Sequence, residues 1–154
     1  MVYNDWIMSK RFSFLVAVHA FFIKDDQVLL LERANTGYMD GHFSVPAGHV
    51  DGGESIWKAM QREIKEEVDV DIKEKHQPIH VMHRTDKSKG EERIDYFFLI
   101  KNWEGTPKVT EIEKCSKVEW FKMWQLPENI VPYINFALKK VEEGVLFSEF
   151  EEED

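Results

Sequence analysis

The chain has 154 residues, enough for one domain (1–154) with a substantial core, and 29 acidic against 20 basic side chains give it a net charge of −9. That balance argues against non-specific binding to a nucleic-acid polymer, and no apolar run approaches the roughly 20 residues of a membrane span. The single cysteine, Cys115, rules out an internal disulfide and suits a reducing, cytoplasmic compartment; with no histidine partner suggested, it reads as a packing residue.

Residues 1–10 show no signal-peptide layout and form a short extension before the first element. Arg11 to Ile23, rich in β-branched and aromatic residues, predicts a long buried strand. Asp25-Asp26 predicts a turn, and Gln27 to Glu32 a returning strand with Arg33 at its end. The Gly, Asn and Asp content of Ala34 to His42 predicts a loop. His42 and His49 have no partner at a zinc-ligand spacing and are read as non-ligands. A glycine-rich turn follows Phe43-Ser44-Val45-Pro46. Then one amphipathic helix runs from about Ser55 to Val68, with Trp57, Met60, Ile64 and Val68 on its apolar stripe and Lys58 and Lys65 toward solvent.

Glu63, Glu66 and Glu67 fall within an arc of about 100° beside that stripe. Carboxylates at i, i+3 and i+4 repel one another by a few tenths of a kcal/mol per close pair, and Glu67 sits angularly between Ile56 and Met60, where desolvation adds to the cost. A solvated acidic face is the plain reading of Glu66-Glu67 alone. The full spacing says more: Gly48, five residues, Glu54, seven residues, Arg62-Glu63, Ile64, any residue, Glu66-Glu67, then Val70 three positions on. This order resembles the Nudix box, and it departs from that pattern only at Asp69, where the family has glycine. Glycine there ends the helix in a left-handed conformation, which Asp tolerates better than most residues, so the departure predicts a weaker helix stop and leaves each ligand position intact.

Downstream, Asp71 to Gln77 predicts a polar connection, Pro78 to Arg84 a strand, Thr85 to Glu92 a solvated hairpin loop and Arg93 to Trp103 a further strand, with Tyr96 to Ile100 in the core. Glu104 to Cys115 reads as a loop, Lys117 to Phe121 as a strand, Trp124 to Asn129 as a turn and Ile130 to Glu143 as a helix. The acidic tail, 148–154, reads as a disordered solubilising end.

The resemblance implies a Nudix α/β/α sandwich, a mixed β-sheet with the box loop-helix and a C-terminal helix, over about Arg11 to Glu143. It implies a hydrolase that cleaves a nucleoside diphosphate linked to another moiety. Mg²⁺ or Mn²⁺ would be held by Glu63, Glu66, Glu67 and the Gly48 carbonyl. Arg62 would orient a glutamate and Glu54 brace the turn, with Glu63 or Glu66 as proton acceptor. In the MutT-type branch an arginine at the Arg33 spacing contacts phosphate, although a charge ending a strand is the commoner case. Glu113, seven residues before Trp120, matches a loop glutamate that joins the metal site or acts as base, with Glu111 as the fallback. Asn129 matches a base-reading asparagine or caps the helix after it. Tyr38 stacks on a base or anchors its loop. The favoured substrate is a nucleoside triphosphate such as 8-oxo-dGTP; ADP-ribose or a nucleotide sugar is the rival within the class, and a non-catalytic nucleotide sensor is the rival outside it. The sequence is compatible with a monomer or a homodimer.

Overall fold

The computed structural model describes residues 11–153, so the extension over 1–10 lies outside the described residues. The first strand, β1 (Leu15–Lys24), turns through Asp25 and Asp26 into β2 (Gln27–Arg33). Both aspartates take positive φ, 50° and 57°, as a two-residue hairpin turn matched to strand twist requires. Two short strands follow, β3 (Phe43–Ser44) and β4 (Ala47–His49), where the sequence had suggested only a turn. They are too short to carry a periodic signal, and they form because β2 and β1 offer them open edges.

Helix α1 spans Ile56–Val68, with the Ser55 hydroxyl accepting from the Lys58 N–H at 3.2 Å as its N-cap. Asp69 ends it in the left-handed region at φ 53°, the stop expected where glycine is replaced. Trp57, Met60, Ile64 and Val68 are all buried, each contributing roughly 1.5–3 kcal/mol.

The remaining elements are β5 (His80–Asp86), β6 (Glu91–Ile100), β7 (Cys115–Lys122), α2 (Pro132–Glu142) and β8 (Phe147–Glu151). Strands β5 and β6 extend two residues further into their connection than expected, which leaves a tight turn around Ser88 in place of the long solvated loop. The mixed sheet runs β3-β2-β1-β6-β5-β8, with β4 beside β1 and β7 beside β2. Side chains alternate across β1: Val18, Ala20 and Phe22 join the cluster under α1, and Phe21 joins the cluster under α2 with Phe97, Met82, Ile134 and Leu138. The sheet is therefore covered on both faces, as the α/β/α expectation holds.

The first strand starts later than expected, since residues 11–14 lie outside β1 and are exposed, and two further expectations fail. Helix α2 begins at Pro132 after an N-cap at Val131 that makes no side-chain bond, so Asn129 is not its cap; the Asn129 amide instead donates to the Gly41 carbonyl at 2.7 Å. The acidic tail is ordered over its described residues, 148–153: β8 pairs in parallel with β5 from Val81↔Phe147 to Thr85↔Glu151. Its alternation places Phe150 against Phe136 of α2, with ring centroids 5.3 Å apart, while Ser148 accepts or donates at His80 Nε2 at 2.8 Å. The run of glutamates hid a two-residue period.

Deleting residues 146–154 should lower stability by at least about 2 kcal/mol, a fall in melting temperature of roughly 4 °C or more. A truncated chain that melts with the full one would show that the tail adds nothing to the sheet.

Candidate active site

Arg62 is the hub of the box. Its NH2 group donates to Glu54 Oε1 at 2.6 Å and to the His49 carbonyl at 2.9 Å, its Nε to Glu54 Oε2 at 3.1 Å and its NH1 to Glu63 Oε1 at 2.6 Å, with Glu66 Oε2 at 3.4 Å. Glu54 also accepts from the Asp51 N–H at 2.7 Å, so one carboxylate closes the turn and clamps the guanidinium. The bond to Glu54 holds the Arg62 pKa above its ordinary value, and the same contact holds Glu54 below the usual carboxylate range. Gly48 is required by contact: a Cβ there would land on the Glu63 carboxylate.

Glu67 keeps a little accessible surface toward a cavity and is otherwise enclosed by protein. Its Oε2 accepts from the Ala47 N–H at 2.9 Å. Burial pushes its carboxyl up to about 8, with the charges of Glu63 and Glu111 adding to the rise and the Ala47 bond opposing it. Glu63 is raised as well, by burial first and against the Arg62 contact. Of the two loop candidates, Glu111 lines the cavity beside Glu67, and Glu113 does not: Glu113 is exposed and contributes only a backbone carbonyl, to Asn35. The loop turns at Glu111 to start β7, so the fallback position faces inward.

These donors suit a hard divalent cation, because Glu67 is enclosed with no cation paired to it and oxygen is the ligand such ions take. Among the described residues, no three His, Cys, Asp or Glu side chains converge closely enough to enclose an ion by themselves. An ion held by one or two carboxylates and completed by phosphate oxygens fits that arrangement.

The cavity, of about 580 Å³, runs from Gly48, Glu67 and Glu111 to a second cluster that sequence reasoning missed. Here Arg84, 6% exposed, donates from Nε to Asp95 Oδ2 at 2.7 Å and from NH1 to Glu152 Oε1 at 2.7 Å, and lies 3.7 Å from the Tyr133 ring centroid. His19 approaches the Tyr133 hydroxyl at 3.3 Å, and its burial lowers its pKa to about 4, leaving it neutral. Arg33 and Tyr38 both line the cavity, but Arg33 is engaged with the Tyr38 carbonyl at 2.8 Å and Thr36 Oγ1 at 3.0 Å. Asn129 lies outside the lining, and so do the core aromatics of β6. Cys115 lines the cavity with its thiol pKa raised by burial, in keeping with a packing role. His19, Arg84 and Asp95 did leave a signal, since a polar residue inside an apolar strand must find a partner.

The NUDIX domain model matches residues 13–140, most of the chain, and the chain belongs to the NUDIX family, whose members generally use divalent metals. The MutT NUDIX hydrolase of Burkholderia pseudomallei is 27% identical, with a TM-score of 0.78 over 84% of this chain and 99% of that one. The ADP-ribose pyrophosphatase of Methanocaldococcus jannaschii is 32% identical over 113 residues, 73% of this chain and 64% of the relative. The 8-oxo-dGDP phosphatase NUDT18 of Danio rerio is 28% identical over 138 residues, 86% of this chain and 40% of the relative. This chain thus spans less than two-thirds of the length of these curated relatives. No helix among the described residues is long and apolar enough to cross a membrane.

Glu67 has an ordinary value of 4.5 and a folded one of about 8. The native state therefore keeps a proton that the unfolded chain has lost, and this group reduces stability as pH rises across that window, fully so above it. In metal-free protein, Glu67→Gln should raise the melting temperature at pH 9 by about 3 °C or more and leave it unchanged at pH 4. Equal offsets at every pH would remove the buried charge from the account.

Proposed function

We propose that this chain is a Nudix pyrophosphohydrolase that uses Mg²⁺ or Mn²⁺ to cleave a nucleoside triphosphate to monophosphate and pyrophosphate. An oxidised purine nucleotide such as 8-oxo-dGTP is one candidate substrate. The observation that carries this is the enclosed carboxyl of Glu67, with no cation paired to it and with Glu111 beside it, at one end of a cavity within the usual size range of small-ligand sites.

When bound, the cation supplies charge neutralisation at the diphosphate and lowers the pKa of the attacking water. The chain does the positioning on which such displacements mainly depend. Arg62 fixes Glu63 against Gly48, and the Ala47 N–H holds Glu67 toward the cavity. Glu66, half-exposed at the outer edge, or Glu63 takes the proton, with Glu111 in place of Glu113 as the outside candidate. Lys114 and Arg33 at the lining offer positive charge to phosphate oxygens, although Arg33 must then exchange its Thr36 contact. The lone buried cysteine suits a cytoplasmic setting.

A second reading, hydrolysis of ADP-ribose or a nucleotide sugar, is favoured by the named activity of the Methanocaldococcus jannaschii relative. Chromatographic detection of the nucleotide products released from a panel of nucleoside triphosphates, ADP-ribose and dinucleoside polyphosphates, with Mg²⁺ or Mn²⁺, separates the two. Glu66→Gln should lower kcat by about a hundredfold or more on whichever substrate is used. A wild-type protein that turns over none of the panel while nucleotide still raises its melting temperature would be a sensor, and the enzyme reading would fall.

A further inference from the structure

Glu152 lies beyond the residues 13–140 matched by the family model, yet it lines the main cavity. It arrives there because β8 pairs with β5 and delivers the residue after its last one beside Arg84. Its Oε1 accepts from Arg84 NH1 at 2.7 Å and from the Tyr38 hydroxyl at 3.2 Å, and its Oε2 lies 3.3 Å from that hydroxyl. Arg84 uses Nε and NH1 for Asp95 and Glu152, so NH2 has no protein acceptor among the described residues. Asp95 Oδ1 and His19 Nδ1, both buried, are also without partners. A cluster kept only for stability would be expected to saturate its polar groups, and apolar replacements commonly serve stability as well as a buried ion pair does.

The charge at this end is wrong for phosphate. Two carboxylates, Asp95 and Glu152, face one guanidinium, while Arg93 is answered by Glu91 at 2.8 Å and Lys89 by Asp86 at 3.1 Å. The diphosphate therefore belongs at the opposite end, beside Glu67. Between Gly48 on β4 and Arg84 on β5 stand β1 and β6, three strand intervals or about 14 Å across the sheet, and Arg84 lies three residues, about 10 Å, beyond the position level with Gly48, which makes about 17 Å between the backbones, the scale of an extended nucleoside polyphosphate once the side chains reach inward. What remains for the Arg84 end is the base. A carboxylate only accepts hydrogen bonds and a guanidinium only donates them. The edge of guanine, a 2-amino-6-oxopurine, presents a carbonyl acceptor next to two donors, N1–H and the 2-amino group, which match Arg84 NH2 and the Glu152 carboxylate. The edge of adenine offers one amino group beside a ring acceptor and leaves one carboxylate contact unmade.

Resting on the nucleotide-hydrolase reading above, we infer that Arg84 and Glu152 form the specificity contact for a guanine-type base, and that the C-terminal strand is part of the substrate pocket. The full-length chain is titrated by calorimetry with dGMP and with dAMP, as wild type, Glu152→Gln and Tyr38→Phe. The wild type should prefer dGMP by about tenfold or more, the size of a hydrogen bond to a charged group. Glu152→Gln should bring that ratio close to one, and Tyr38→Phe, which releases one restraint on the carboxylate, should lower it by a smaller factor. A wild type without preference overturns the inference, and so does a Glu152→Gln protein that loses affinity for both nucleotides equally, as a purely structural latch would. The ratio needs no turnover, so an inactive protein that still discriminates would sink the hydrolase reading and spare this one.

Discussion

Enclosing a carboxylate with no cation beside it is unfavourable, and the packing of α1 imposes that condition on Glu67. The helix docks through Trp57, Met60, Ile64 and Val68, all of which must be buried for it to be held at all. With 3.6 residues per turn, seating that stripe rotates Glu67 and Glu63 toward β4. The apolar face and the acidic edge cannot be placed independently. The Ala47 N–H relieves part of the penalty, but one backbone donor leaves the carboxyl far above its ordinary value. The remaining deficit is an affinity for positive charge built into the fold.

Arg62 shows why that deficit stays at Glu67 and is not cancelled within the box. Its guanidinium could neutralise any of four nearby carboxylates, yet its shortest contacts go to Glu54 and Glu63. Glu54 in turn closes the glycine turn through the Asp51 N–H. The arginine thus couples turn geometry to the orientation of Glu63, and Gly48 allows the carboxylate to lie against the backbone of β4. Removing bulk at Gly48 and fixing direction at Arg62 are two halves of one arrangement. Neither supplies charge to Glu67, which faces the cavity from the other side of β4's first residue.

The box was legible in the sequence because its constraints are local: helical period, capping Ser55, the left-handed Asp69 and the glycine contact all fall within 22 residues. The strands of the core were legible for the same reason. The far end of the cavity was not, since it assembles from β1, β5, β6, α2 and β8, with partners 11 to 114 positions apart. Arg84 and Asp95 were visible as charges in apolar strands, but their pairing depends on the antiparallel register that sets Arg84 opposite Arg93 and Met82 opposite Asp95. The tail misled by composition, because glutamates on an edge strand disguise alternation. Glu113 misled by one period, as a two-residue shift in an aperiodic loop has no sequence signature. Asn129 is a local brace for the loop at Gly41, a contact that no spacing rule encodes.

The two ends of the cavity follow from which sheet column supplies each group. Strands β4 and β1 meet α1 at one end, where helix rotation leaves unmatched negative charge. Strands β5 and β8 form the other end, where an arginine is shared between two carboxylates and stacked on Tyr133. The lining carries both signs of charge, with Arg33 and Lys114 near the Glu67 end, so a cation held there would draw the phosphates of a ligand toward Glu67 and Glu111. Electrostatics would then favour one orientation of the ligand before any base contact forms. That leaves the Arg84 end free to discriminate among bases without also having to hold the phosphates, a division that a shorter chain ending at α2, without β8 and Glu152, would lack on the carboxylate side.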